Sequence, residues 1–162
     1  MATLPIVPFI AFNFAVEIAV PFIGNKLCNA SFSECDGLEM SMDVKTIREG
    51  GNNGSQIRMI GPVNYGQVTL KRGMTGNFEL WDWFDALQNG TPAQLRGDLR
   101  GEAEVVVFSA DHAAERVRFL LKRCLLTKLK APALNGKDGG VAIEEMQLTY
   151  ESMSLKRPGG GN

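Results

Sequence analysis

Residues 32–53 read FSECDGLEMSMDVKTIREGGNN, and residues 68–84 read VTLKRGMTGNFELWDWF. These two blocks constrain the fold more than anything else in the chain. After Gly37, Leu38, Met40, Met42 and Val44 alternate with Glu39, Ser41, Asp43 and Lys45, the period of two of a half-buried strand. By that pattern the apolar set faces the core and the polar set faces away. EGGNNG at 49–54 breaks the strand, because Gly and Asn tolerate positive φ at little cost. The chain then returns over 56–60 and 65–72, with Gly61-Pro62 marking a kink or bulge. A long hairpin results, and a helix follows it directly.

In that helix Leu80, Phe84 and Leu87 repeat at i, i+4 and i+7, flanked by Trp81 and Trp83, which makes an apolar stripe for the core and a neighbouring surface. Thr75 or Asn77 can cap its start, Glu79 and Asp82 suit the positive end of its dipole, and Asn89-Gly90 followed by Pro92 predicts a left-handed stop.

Elsewhere Phe12, Phe14, Val16 and Ile18 alternate with Asn13, Ala15, Glu17 and Ala19 as a first strand, and 20–31 read as a loop turning at Gly24-Asn25. AEVVVFSA (103–110) is a short β-branched strand buried on both faces, reached through the linker TPAQLRGDLRG. Residues 112–130 carry two patterns. Val117, Leu120, Leu121, Cys124 and Leu125 form a helical stripe, while Val117, Phe119, Leu121, Arg123 and Leu125 alternate as a strand. Propensity alone leans to helix. Met146, Leu148 and Tyr150 alternate against Glu145, Gln147, Thr149 and Glu151 as a last strand. The sum is a mainly β, antiparallel domain over 1–155 with one flanking helix, followed by a disordered Gly-rich tail at 156–162.

At 162 residues and 44% hydrophobic composition the chain can build one real core. A formal net charge of −1 argues against nucleic-acid specificity or an anionic membrane surface, both of which call for a basic excess. Pro5, Pro8, Asn13, Glu17 and Pro21 interrupt the apolar N-terminal run, so no membrane span is expected. Cys28, Cys35 and Cys124 lack CxxC spacing and read as reduced thiols.

No residue set points to catalysis, a cofactor or a metal. His112 is the one histidine and sits in a turn. GGNNG lacks the Lys and Ser/Thr of a phosphate loop. Glu144 and Glu145 point to opposite faces of a strand, and Glu102 and Glu104, which share one, read as a solvated face. Lys71-Arg72 and Lys122-Arg123 are isolated basic pairs suited to ion pairing at contacts.

With these blocks in order, the chain resembles the tail-tube proteins of contractile phages and phage-tail-like injection systems, through FSECDGLEM, VKTIREGGNN, VTLKRGMT, LWDWF and LNGKDGGVAIEEMQLTYE, over roughly 12–155. The resemblance implies a β-sandwich or barrel with one flanking helix, a fold shared with the Hcp rings of type VI secretion. It implies hexameric rings stacked into a hollow inner tube, with the hairpin at about 38–72 lining the lumen and pairing with its neighbours. It also implies a strand over 115–130. On this basis Glu39, Ser41, Asp43 and Lys45 are expected to face the lumen, and Leu80, Trp81, Trp83, Phe84 and Leu87 to serve core and interface. Implied partners are the chain itself, a sheath protein, spike and baseplate components, and effector cargo in the lumen. The implied setting is assembly in the cytoplasm into a tail or tail-like particle. Residues 19–31, an insertion relative to typical members, leave open a tube-initiating adaptor ring; a secreted Hcp-like carrier is the other alternative.

Overall fold

The protein is described by a computed structural model covering residues 8, 13–28, 32–51, 53–97, 99–137 and 139–159. Phe12, in the expected first strand, lies outside the described residues, as do 160–162 of the expected tail.

Strands β1 (Phe14–Val20), β2 (Gly24–Cys28), β7 (Gly101–Phe108) and the first half of β8 (Glu115–Lys130) pair in the order β2-β1-β7-β8. The second half of β8 pairs with β9 (Ile143–Thr149), which continues through β6 (Gln67–Gly73) to β3 (Glu34–Asp36). All these pairings are antiparallel. Strand β10 (Ser152–Lys156) extends β9 along the same edge of β8, since Leu125 opposes Thr149 and Lys122 opposes Ser152. Two sheets therefore share one corner, where β8 and the β9–β10 strand cross from one to the other.

The core fills the space between them. Val16, Ile18 and Val20 of β1 meet Val68 and Leu70 of β6, Leu121, Cys124 and Leu126 of β8, and Met146 and Leu148 of β9. Helix α1 (Glu79–Asn89) packs on β8 and β2. Its Leu80 and Trp83 are fully buried, Phe84 and Leu87 are partly buried against the core, and the Trp83 indole donates to the Leu99 carbonyl at 2.8 Å.

Three local expectations are corrected. The helical lean over 112–130 fails: the segment is strand β8, paired on both edges. The cause of the double pattern is a bulge. Gly101 opposes Cys124 while Ala103 opposes Leu121, so Lys122 and Arg123 together face Glu102, and Arg123 adopts φ 54°. The extra residue shifts the inward phase, and the buried set Val117, Leu121, Cys124 acquires the i, i+4, i+7 spacing of a helix. Next, 20–31 is not all loop. The turn falls at 21–23, and β2 runs back along β1 from Gly24. Finally, Gly90 ends α1 in an extended conformation (φ −70°, ψ 146°) and not a left-handed one. A Cβ there would stand 2.9 Å from the Ala86 carbonyl oxygen and 2.5 Å from Leu99 Cδ1, contacts that glycine avoids.

The linker also hides a second short helix, α2 (Pro92–Arg96), opened by a capping box between Thr91 and Gln94 with Pro92 at the first turn. At the start of α1, the Asn77 side chain accepts the Glu79 N–H at 3.0 Å.

One ion pair is enclosed. Arg72 and Glu144 are directly opposed on β6 and β9, each buried, and the guanidinium donates to the carboxylate. The other carboxylate oxygen accepts the Trp81 indole N–H at 3.1 Å, and Arg72 also reaches the Asn77 carbonyl at 3.3 Å and the face of Phe32. The network ties the start of α1 to the sheet.

Cys35 and Cys124 are free thiols. Burial pushes the Cys35 thiol up to about 11, with a further contribution from Asp36, and pushes Cys124 up to about 12.

Removing the charge of Glu144 leaves a buried guanidinium without its carboxylate, a change that typically costs about 3–5 kcal/mol. Glu144→Gln should lower the unfolding free energy by that order in a urea titration, and a loss below about 1 kcal/mol would contradict the enclosed-pair assignment. Because the thiolate is the reactive form, Cys35 and Cys124 should alkylate at pH 8 at least about 10-fold more slowly in the folded protein than in urea, where the thiol pKa returns to about 8.5. Peptide mapping reads each site separately.

Candidate assembly interface

Strands β4 (Met40–Ile47) and β5 (Ile57–Tyr65) leave the sandwich altogether. Among the described residues they pair only with each other, as a two-stranded ribbon. The expectation that Leu38, Met40, Met42 and Val44 face the subunit's own core is therefore wrong for three of the four. Leu38, at the root, packs against the core, but Met40, Met42 and Val44 are 61%, 58% and 58% exposed. The alternation is real, yet among the described residues no surface of the subunit covers its apolar face.

Cross-strand partners share a face, so the register sorts the ribbon. Met40 opposes Tyr65, Met42 opposes Val63 and Val44 opposes Ile60, which makes one face apolar for most of its length. On the other face Ser41 opposes Asn64 and Lys45 opposes Met59, with Asp43 between them accepting the Asn64 amide at 3.1 Å. Ile47 and Ile57 close that face towards the tip. The bulge expected at Gly61-Pro62 is present, these two residues standing opposite Asp43. Of the expected lumen set, Ser41, Asp43 and Lys45 share the polar face, while Glu39 sits at the root, ahead of the strand.

The root is held by the sandwich. Gly37 has φ +96°, and a Cβ there would fall 1.9 Å from the Gln67 carbonyl oxygen, so only glycine lets the outgoing and returning chains cross so closely. The Gly66 N–H donates to the Glu39 carbonyl at 3.0 Å. Tyr150, buried where β9 gives way to β10, meets the same segment. Its hydroxyl accepts the Glu39 N–H at 3.1 Å and lies 2.9 Å from the Glu39 carbonyl, while its ring tilts against Tyr65 at 5.6 Å. Sequence reasoning missed this role for Tyr150. Its inward phase was legible, but the target of its hydroxyl lies 111 residues away.

Several of the remaining polar residues pair with one another. The Glu104 carboxylate takes Arg118, which also pairs with Glu115, and Lys71 pairs with Glu34 at 3.2 Å. The Ser109 hydroxyl and the Ala113 N–H both donate to Asp111, holding its carboxyl below the usual range, beside an exposed His112 at φ 56°. Among the described residues no three His, Cys, Asp or Glu side chains group as a metal site would need, and no helix is long and apolar enough to cross a membrane.

A family model described as T4-like virus tail tube protein gp19 matches residues 10–154. No curated protein matches the sequence significantly. Among solved structures, a chain of an extracellular contractile injection system, the PVC sheath-tube complex in its extended state, superposes with TM-score 0.74 at 20% identity, covering 93% of this chain and 92% of that one. A chain of the anti-feeding prophage baseplate, six-fold symmetrised, gives TM-score 0.74 at 23% identity over 97% and 98%. An Hcp protein crystal structure gives TM-score 0.50 at 14% identity over 92% and 94%.

Gly37→Ala places a methyl group against backbone in a conformation that L residues rarely adopt. It should destabilise the protein by about 2 kcal/mol or more, read as a lowered denaturation midpoint; an unchanged midpoint would contradict the crossing described above.

Proposed function

The chain belongs to the T4-like virus tail tube protein gp19 family, and from that premise we propose that its ribbon is the wall element of a hollow tube, with six copies closing into a ring and rings stacking. The protein is a structural subunit of a contractile tail tube. The observation that carries the ring is the ribbon itself. A lone two-stranded ribbon is marginal in water, and its open edges invite pairing with another chain. Ring closure removes those edges without leaving a growing sheet.

In this reading the apolar face, with Met40, Met42, Val44, Ile60 and Val63, is covered by neighbouring subunits, as a contiguous exposed apolar surface calls for. Ser41, Asp43 and Lys45 then look into the lumen, with Glu39 at its margin. One carboxylate and one ammonium on that face nearly cancel, so effector cargo would meet no strong field of either sign. Trp81, half-buried on α1, serves the outer contacts. Residues 1–155 act as one tail-tube unit. Sheath and baseplate are the fitting partners, because similar folds occur in a sheath-tube complex and a baseplate. The setting is a phage tail or tail-like particle assembled in the cytoplasm. No enzymatic role is proposed.

Electron microscopy of the purified protein should show rings or tubes of uniform diameter. Met42→Asp combined with Val44→Asp should leave monomer stability within about 0.5 kcal/mol, as for exposed sites, and abolish those particles. Undiminished rings from the double variant would sink the assignment of the apolar face.

A further inference from the structure

We infer that the Tyr150 hydroxyl is the positioning group that fixes the angle of the ribbon on the sandwich, and with it the geometry in which one subunit offers its ribbon to the next. The structural half stands on the root alone; the assembly half rests on the tube reading given above.

The two ends of the ribbon root meet around this one oxygen. The outgoing chain, just ahead of β4, binds it directly, through the Glu39 N–H at 3.1 Å, and the single hydroxyl proton is shared between the carbonyls of Glu39 at 2.9 Å and Gly37 at 3.2 Å. The returning chain, just past β5, is joined at one remove, because the Glu39 carbonyl also accepts the Gly66 N–H at 3.0 Å. Tyr65, the last residue of β5, rests on the tyrosine ring at 5.6 Å. Tyr150 itself cannot swing, being only 6% exposed and set at the corner where both sheets meet. Beyond the root, every residue of β4 is exposed, and so are seven of nine in β5. Among the described residues, β4 and β5 pair with no other strand of the subunit, so the root is where the sandwich sets the ribbon's direction.

Leverage makes a single hydroxyl matter. A strand of this length extends about 26 Å, so a tilt of about 10° at the root carries the tip about 4.5 Å. That is close to the spacing of about 4.8 Å between neighbouring strands. A small error at Tyr150 therefore becomes a whole-strand error where subunits would pair.

Tyr150→Phe keeps the ring and the Tyr65 contact and removes only the hydroxyl. Hydrogen exchange on the unassembled protein should show the Glu39 and Gly66 amides and those of β4 and β5 exchanging about 10-fold faster, with β7 and β8 unchanged. The concentration needed for ring formation should rise about 10-fold. Gly66→Ala, whose Cβ would press on Glu39 Cβ at 3.1 Å and the Gly37 carbonyl at 3.2 Å, disturbs the acceptors around the hydroxyl while leaving the Tyr150 side chain unchanged, and should reproduce both effects. Ribbon exchange equal to wild type in Tyr150→Phe would overturn the inference whatever Gly66→Ala does, as would faster exchange spread evenly through β7 and β8. Ribbon-selective exchange with unaltered ring formation would overturn its assembly half. A wild-type protein that forms no rings under any condition would count against the tube reading, while a ribbon-selective exchange gain would still uphold Tyr150 as the positioning group.

Discussion

A strand hydrogen-bonded on one edge must find a partner for the other or leave its backbone to water. Among the described residues the β4–β5 ribbon leaves that requirement unmet along both its outer edges, as the sheet-edge strands β2 and β3 each do along one. Its two strands satisfy each other along one edge each, its outer edges are open, and one face is lined by methionine, valine and isoleucine in water. Exposed apolar area of this kind costs free energy in water, and covering it would recover that cost. The rest of the molecule is arranged to hold the ribbon out.

That support is local and polar. The sandwich has an apolar interior of ordinary character, but its two long strands cross between sheets, and Tyr150 sits at the crossing with its hydroxyl turned to the ribbon root. At the other end of β6 and β9, the enclosed Arg72–Glu144 pair and the Trp81 indole fix the start of α1. Ribbon and helix are thus anchored at opposite ends of the same pair of strands. Buried polar groups define direction where apolar packing alone would allow slippage, and both projecting elements depend on direction.

Much of this was legible beforehand. The stripe of α1, the alternation at Met146, Leu148 and Tyr150, and a hairpin after Gly37 with its bulge at Gly61-Pro62 follow from periodicity and turn chemistry, but the expected return over 65–72 is wrong: the return strand ends at Tyr65, and 67–73 pairs with β3 and β9 in the sandwich. The failures have specific causes. A bulge at Lys122-Arg123 shifted the inward phase of β8 and produced a counterfeit helical pattern. The charges of Arg72 and Glu144 lie in phase with the apolar residues of their strands, a sign of an enclosed pair that reads as nothing until the register sets them opposite each other. The capping box at Thr91 was present in the linker but opened a helix of only five residues.

The sequence by itself determined that the alternating residues of 38–45 run as a strand with one apolar and one polar face, observed as β4 from Met40, because a period of two is a property of the backbone alone. Only the tertiary structure decided what the apolar face meets. Periodicity states that a surface must be buried and is silent on whether the burying surface belongs to the same chain. Here Gly37 lets the chain cross over itself and leave, Tyr150 meets it at the exit, and the apolar face of the ribbon stands exposed instead of meeting the core.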